Sequence, residues 1–396
     1  MSEQSEDFIE KFVKATSGSA SPDIFRRWIA IGMLAAVMAR RCYSVTLEQA
    51  GPFYPNFYII LVGPPGTGKT IALSHARRLL KSVNGVNVGP DKITPEKLTR
   101  VMARMHRNPE NDADEDNVPT DIDSSLVLML SELNSLVTRY TPDLMDLLTG
   151  LYDNPDDYEY QTKNMGNDIV YRANLNIVAG TQPTKLGEII TSHTVGSGFP
   201  ARLMLIYSDE KRSPGYFKEY PRKDYAEKVI ANMLEKRCEM EGEFLWTEAA
   251  QERYIELATK TLYETQPTDD LLSHYGERRD FHLAKLAMVM SASEDARLVI
   301  EKRHLDRAWN FMCEAEKVMP EALKAAGGNQ HRIVEDSTVA YVAQTGPVNE
   351  ARLRRFIGKH IDSWAMDSFI ENLLMQERLI AVGKKEKPRR TFKAGK

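Results

Sequence analysis

The octapeptide GPPGTGKT, residues 63–70, meets the spacing G-x-x-x-x-G-K-[ST] at every required position. Gly63, Gly66 and Gly68, with Pro64, Pro65 and Thr67 between them, let the backbone curl so that its N–H groups face phosphate oxygens. Lys69 then sets a point charge against the β- and γ-phosphates of a nucleotide, and the Thr70 hydroxyl is a ligand for Mg²⁺. A chance Gly-rich turn is the competing reading. The flanks argue against it, because the apolar run FYIILV (57–62) precedes the loop and the helical pattern KTIALSHARRLLKSV (69–83) follows it.

Such a loop needs a carboxylate on a neighbouring strand, to steady the metal's hydration shell and to orient an attacking water. In LVLMLSEL (126–133) Glu132 falls just past an apolar strand, where α/β folds gather their ligands. Ser131 occupies the place of the usual metal-linked Asp. Either Glu132 covers both tasks or Ser131 reaches the metal through water; a plain helix-capping Glu132 is the alternative. The run ending in AGTQP (179–183) offers Thr181 or Gln182 to the γ-phosphate or its water, and either serves equally as a turn residue before Pro183. In GSGFPARLM (196–204) Arg202 is a candidate arginine finger for a nucleotide on an adjacent subunit, or else an ordinary surface ion pair.

These groups call for an α/β core. FYIILV, SLVLML (125–130), ANLNIVAG (173–180) and ARLMLIYS (201–208) read as its buried strands. Residues 1–50 read as helices packed on that core, which spans 51–210, and the acidic stretch 109–123 reads as a surface loop. Past residue 210 long helical patterns replace the strand-type runs, which marks a helical region over 211–328. AAGGNQ (325–330) looks like a linker. Three further helices closed by a basic strand pair, over 331–396, outline a winged helix.

Bulk properties narrow the class further. The 396 residues have room for two or three cores. With 52 basic and 56 acidic residues the formal charge is −4, so any DNA contact must come from local patches. The three cysteines lack metal-type spacing. WIAIGMLAAVMA (28–39) is shorter than the ~20 apolar residues of a membrane span, and the first residues lack a secretory pattern, so the expectation is no membrane and a cytoplasmic location.

With the pieces in this order, residues 20–310 resemble the AAA+ ATPases, and more closely the MCM-like helicase ATPases of phages and mobile elements. GPPGTGKT is similar to the family's Walker A, LVLMLSEL to a Walker B reduced to Ser-Glu, NIVAGTQP to sensor 1, and GFPARLM to the segment ending in the arginine finger. The resemblance implies ATP and Mg²⁺ as ligands, a homo-oligomeric ring, six subunits in the family pattern, and DNA as a partner, with a primase or other replication protein beside it. It also implies that the region after 210 is a lid carrying a sensor 2 cation; Arg278, Arg279 and Lys285 are on offer, and Lys285 reads equally as a residue snorkelling from an amphipathic helix.

YEYQTKNMGNDIVYRANL (158–175) alternates on both sides of Asn-Met-Gly and reads as a β-hairpin. In the MCM-like branch a hairpin at this place grips DNA, which makes Lys163 the gripping charge and Arg172 a weaker candidate. In the tail, Arg352, Arg354, Arg355 and Lys359, with Lys384, Lys385, Arg389 and Arg390, form a basic patch suited to phosphate contacts or to a merely soluble terminus. The expected fold is therefore α/β: a P-loop AAA+ parallel sheet with flanking helices, then an α-helical lid and a small winged-helix domain. The expected activity is an ATP-driven DNA motor, a replication helicase. Its rival is a nucleotide-gated DNA-binding, helicase-loading or recombination factor that hydrolyses ATP slowly or not at all, which Ser131 favours. A metabolic kinase on the same loop is a weaker third reading.

Overall fold

Runs of β-branched, aromatic and aliphatic residues without polar interruption suit strands covered on both faces, and they form the centre of the larger of two compact units, Met1–Leu323 and Lys324–Lys396. The computed structural model describes residues 7–45, 51–105, 123–137, 141–162, 166–190, 198–213, 223–262, 265, 272–358, 361, 365–382 and 390–395.

In the larger unit α1 (Phe8–Ala15) and α2 (Asp23–Met38) precede β1 (Cys42–Tyr43), β2 (Tyr58–Val62), α3 (Lys69–Lys81) and α4 (Pro95–Ala103). Then follow β3 (Ser124–Leu130), α5 (Pro142–Tyr152), β4 (Asp157–Thr162), β5 (Gly166–Tyr171), β6 (Ala173–Thr181), α6 (Pro183–Ile189) and β7 (Leu203–Tyr207). The helical stretch brings α7 (Lys223–Cys238), β8 (Gly242–Glu243), β9 (Leu245–Trp246), α8 (Glu248–Glu256), α9 (Arg279–Glu294), β10 (Val299–Ile300) and α10 (Lys302–Thr345), of which the residues to Leu323 belong to the larger unit and the rest to the smaller.

The main sheet is parallel, in the order β3-β6-β2-β7, and every residue of β2, β3 and β6 is buried. Val88 adds a parallel bridge to Val127 at the β3 edge. Val62 pairs with Thr181 and with Tyr207, and Leu130 pairs with Ala179, so the strands finish nearly level. The turns after Val62, Leu130 and Thr181 consequently emerge side by side. Helix α2 is buried along almost its whole length, which explains its apolar residues on every side. Helix α7 packs on α1, α2 and α3, so the helical region past residue 210 shares a compact unit with the sheet.

Strands β4 and β5 pair antiparallel, as the alternation around Asn-Met-Gly predicts. Lys163, between β4 and β5 in sequence, lies outside the described residues.

In the smaller unit, β11 (Val348–Asn349), α11 (Glu350–Ile357), α12 (Met366–Met375), β12 (Leu379–Val382) and β13 (Thr391–Ala394) follow the end of α10. The three strands form an antiparallel sheet, β11-β13-β12. Val342, Leu353, Ile357, Phe369, Leu373 and Phe392 share its core. The linker expected at 325–330 is instead part of α10. Two glycines cost a helix only about 1 kcal/mol each, and the alanines and glutamine beside them are good helix formers. Among the described residues no helix is long and apolar enough to cross a membrane.

Candidate phosphate-binding site

The loop after β2 is held by contacts that only glycine permits at two positions. A Cβ on Gly63 would lie 2.4 Å from the Ser208 carbonyl oxygen. Gly68 has φ of +73°, and a Cβ there would meet the backbone of Ala20 and Ser21 at 2.7 Å. Gly63 N–H donates to the Thr181 carbonyl, which ties the loop's start to the end of β6. Helix α3 begins at Lys69, so its free N–H groups and positive dipole end face the loop. The Lys69 ammonium is buried and donates to the carbonyls of Gly63 (2.6 Å) and Pro64 (3.0 Å) and to Thr67 Oγ1 (3.0 Å). Burial pushes its pKa below the usual value, against the opposing pull of the Glu132 carboxylate. Thr70, in the first turn of α3, is exposed, as are Pro65 and Gly66 of the loop.

Glu132 is the second residue past β3, in extended backbone (φ −138°, ψ 120°). Its Oε2 is buried without a hydrogen-bond partner and lies 3.9 Å from Lys185 Nζ. Ser131 is exposed, and its carbonyl would lie 2.7 Å from a Cβ on Gly180, so β6 approaches β3 very closely here. Thr181 is fully buried, and its hydroxyl donates to Asn134 Oδ1 at 3.3 Å. Gln182 caps α6. Sheet order thus brings Gly63, Lys69, Thr70, Ser131, Glu132, Thr181 and Gln182 to one edge, because β6 is inserted between the loop strand and the Glu132 strand.

Sequence reasoning missed Lys185 and Asn134. The signal was present: Asn134 lies in the turn after β3 and Lys185 in the first turn of α6, both just past the C-terminal ends of adjacent parallel strands, where side chains converge.

Other expected site residues are elsewhere. Arg202 precedes Leu203, which pairs with Tyr58 at the start of β2. That is a strand length, about 16 Å, from the phosphate loop of the same chain. Arg202 is buried, not a surface residue; it pairs with Asp153 and donates to the Gly198 carbonyl at 2.8 Å. Lys285 is a correction to the sensor 2 expectation. It is fully buried, donates to Asn56 Oδ1 at 2.6 Å just ahead of β2, and sits 4.1 Å and 4.4 Å over the rings of Tyr152 and Phe281. Arg279 is a second correction: it is bonded to Glu316 and to the Leu262 carbonyl, also buried. Both cations hold the helices together, and neither reaches the phosphate loop. Arg172 turns the chain from β5 into β6 with φ of +48°, at the foot of the hairpin.

In the smaller unit Arg354 bonds Glu350 (2.8 Å) and Asp367, while Arg390 bonds Glu350 (3.0 Å) and Glu371 (2.8 Å). Glu350 is fully buried; burial alone would raise its pKa, yet the two guanidiniums hold it below the usual value. Arg354 and Arg390 are therefore corrections to the basic patch, being committed to internal pairs. Arg352 and Arg355 are exposed. Lys359, Lys384, Lys385 and Arg389 lie outside the described residues.

No protein-family model and no curated protein matches the chain. The site itself fits a nucleotide with Mg²⁺. Among the described residues no three His, Cys, Asp or Glu cluster as a metal cage. Glu132 Oε2, with the Lys185 ammonium 3.9 Å away and no hydrogen bond of its own, can accept one from a metal-bound or attacking water.

Proposed function

We propose that the chain is an Mg²⁺-dependent ATPase of the AAA+ type that assembles into a ring and couples hydrolysis to movement on DNA, as a replication helicase of a phage or mobile element. The observation that carries this reading is the convergence of Lys69, Glu132 and Thr181 at one edge of a parallel sheet, with Glu132 near enough to Lys69 to favour its charged form. Lys69 would leave its loop carbonyls for the β- and γ-phosphates, and Thr70 and Glu132 would hold the metal. Mg²⁺ supplies charge neutralisation on the phosphate oxygens. Glu132 orients the attacking water and accepts its proton, and the Thr181 hydroxyl, held by its donation to Asn134 Oδ1, accepts from that water or turns its proton from Asn134 to the γ-phosphate. Arg202 would act on the nucleotide of a second copy.

Charge supports a DNA partner for the smaller unit, which we read as a winged helix. Its 14 Lys and Arg against 8 Asp and Glu give a formal +6, leaving −10 to residues 1–323. The second reading, a nucleotide-gated binding factor, is favoured by Lys185 beside Glu132 and by the hydroxyl of Ser131 where a carboxylate would hold the metal shell.

Steady-state ATP hydrolysis with Mg²⁺, with and without single-stranded DNA, decides between them. Turnover that rises severalfold with DNA, is lost in Lys69→Ala, and is lost in Glu132→Gln with ATP binding retained supports the motor. Tight ATP binding without turnover in the wild type supports the gated factor.

A further inference from the structure

The sheet of the smaller unit ends on an unguarded edge. Its order is β11-β13-β12, and among the described residues no strand lies beyond β12. The Arg378 carbonyl accepts from Gly395 N–H, which sets the alternation of an antiparallel pair. Ile380 and Val382 therefore bond β13 through their backbone, while the N–H and C=O groups of Leu379 and Ala381 point away from the sheet. Natural edges are blunted by Lys, Pro or a bulge. Leu379-Ile380-Ala381-Val382 has none of these, and it pairs with β13 without interruption.

The face beside that edge is apolar although solvent reaches it. Leu379 and Phe392 fill the core, so Ile380 and Val382 stand on the outer face, each 39% exposed. Met375, at the end of the helix that leads into β12, is 82% exposed. Lys393 lies directly across from Ile380 and is exposed on the same face.

Charge selects the occupant. Residues 379–396 hold seven Lys and Arg against Glu386 alone, whereas residues 324–378 carry seven of each sign. The whole surplus of the unit thus belongs to the segment that forms β12 and β13. Two copies paired edge to edge would bring like charges together. A phosphate backbone matches the charge but leaves Ile380, Val382 and the outward backbone groups of β12 without a partner. An extended acidic peptide with apolar residues at alternate positions answers all three features.

We propose that β12 docks an extended acidic segment of a partner protein as a fourth strand of this sheet. The segment bonds the outward N–H and C=O groups of Leu379 and Ala381, sets apolar side chains beside Ile380 and Val382, and brings carboxylates to the surplus positive charge. Leu379 and Phe392 anchor the strand pair in the core, so the edge is preformed and the partner bears the cost of ordering. Arg352 and Arg355 lie on α11 rather than on this sheet and stay available to DNA. The inference stands apart from the ATPase reading.

Fluorescence anisotropy of a labelled peptide alternating Glu and Val, titrated with the full chain, tests it. Binding should saturate, and a peptide alternating Lys and Val should bind severalfold more weakly. Ala381→Pro deletes an outward N–H that β13 does not use, so it should keep the wild-type melt and weaken the Glu-Val peptide severalfold. Ile380→Ser should weaken it as well. The same peptide N-methylated at alternate residues should not bind, which tests the backbone pairing without altering the protein. Affinity for single-stranded DNA should be equal in Ala381→Pro and the wild type. No saturable binding, equal affinity for the two peptides, or full affinity of the N-methylated peptide overturns the docking edge. DNA affinity that falls together with peptide affinity in both variants gives the face to nucleic acid, and self-association lost in Ala381→Pro gives it to a second copy; either result overturns the proposal.

Discussion

His282 is fully buried, with Nδ1 3.2 Å from the Tyr152 hydroxyl and Nε2 3.3 Å from the Ala201 carbonyl. A carbonyl only accepts, so Nε2 carries the proton and Nδ1 accepts from Tyr152. Burial, reinforced by the Lys285 charge one helical turn on, pushes the imidazole down from 6.5 to about 3. The unfolded chain therefore takes up a proton below 6.5 that the folded chain refuses until about 3, and stability, complete above 6.5, falls as pH drops through that window. By pH 5 this one group removes about 2 kcal/mol. Urea unfolding at pH 7 and pH 5 should show that loss in the wild type and a clearly smaller one in His282→Gln. Equal losses in the two proteins would mean that the folded ring takes the proton. The role is structural: His282 joins α9 to the turn that carries Arg202, away from the phosphate loop.

Helix α2 lies against the sheet at Gly32, where an added Cβ would come within 2.4 Å of Val178 Cγ2 on β6. Two effects of opposite sign meet there. Alanine is favoured over glycine inside a helix by about 1 kcal/mol, whereas forcing a methyl into a filled interface costs about 1–3 kcal/mol. Packing should win, so Gly32→Ala should lower the urea midpoint at unchanged slope; a raised midpoint would place α2 further from β6. At this scale the strands and the phosphate loop are legible in the sequence, because an unbroken apolar run and a glycine spacing each encode local structure. What stays hidden is the end of the sheet that a distant residue reaches. Lys285 and Arg279 look like lid cations until α9 carries the first to Asn56 and packing delivers the second to Glu316. The edge residue Val88 contributes a single bridge, too short for any periodicity to reveal. Glu350 opens a helix in sequence like any first-turn acid, and nothing local tells that it is buried between two arginines.

Charge is divided across the whole molecule, with a formal −10 on residues 1–323 and +6 on residues 324–396. The proposed DNA contact of the smaller unit depends on which cations are free. Arg390 and Arg354 neutralise Glu350, so removing Arg390 leaves a buried charge short of a partner, at a cost of about 3–5 kcal/mol. A unit of this size is stable by only about 4–11 kcal/mol at the usual 0.05–0.15 kcal/mol per residue. Arg355 is exposed, and its removal touches no core residue. The two substitutions should therefore part company although both delete one positive charge. Arg355→Ala should keep its circular dichroism melt and weaken single-stranded DNA binding, with the slope of log affinity against log salt reduced by about 0.7, the share of a single neutralised phosphate. Arg390→Ala should unfold the smaller unit at a markedly lower temperature and forfeit that unit's share of DNA affinity at every salt concentration. An Arg390→Ala protein that melts like the wild type and shows the same one-phosphate change in slope would make Arg390 a phosphate ligand and leave Glu350 satisfied by Arg354 alone.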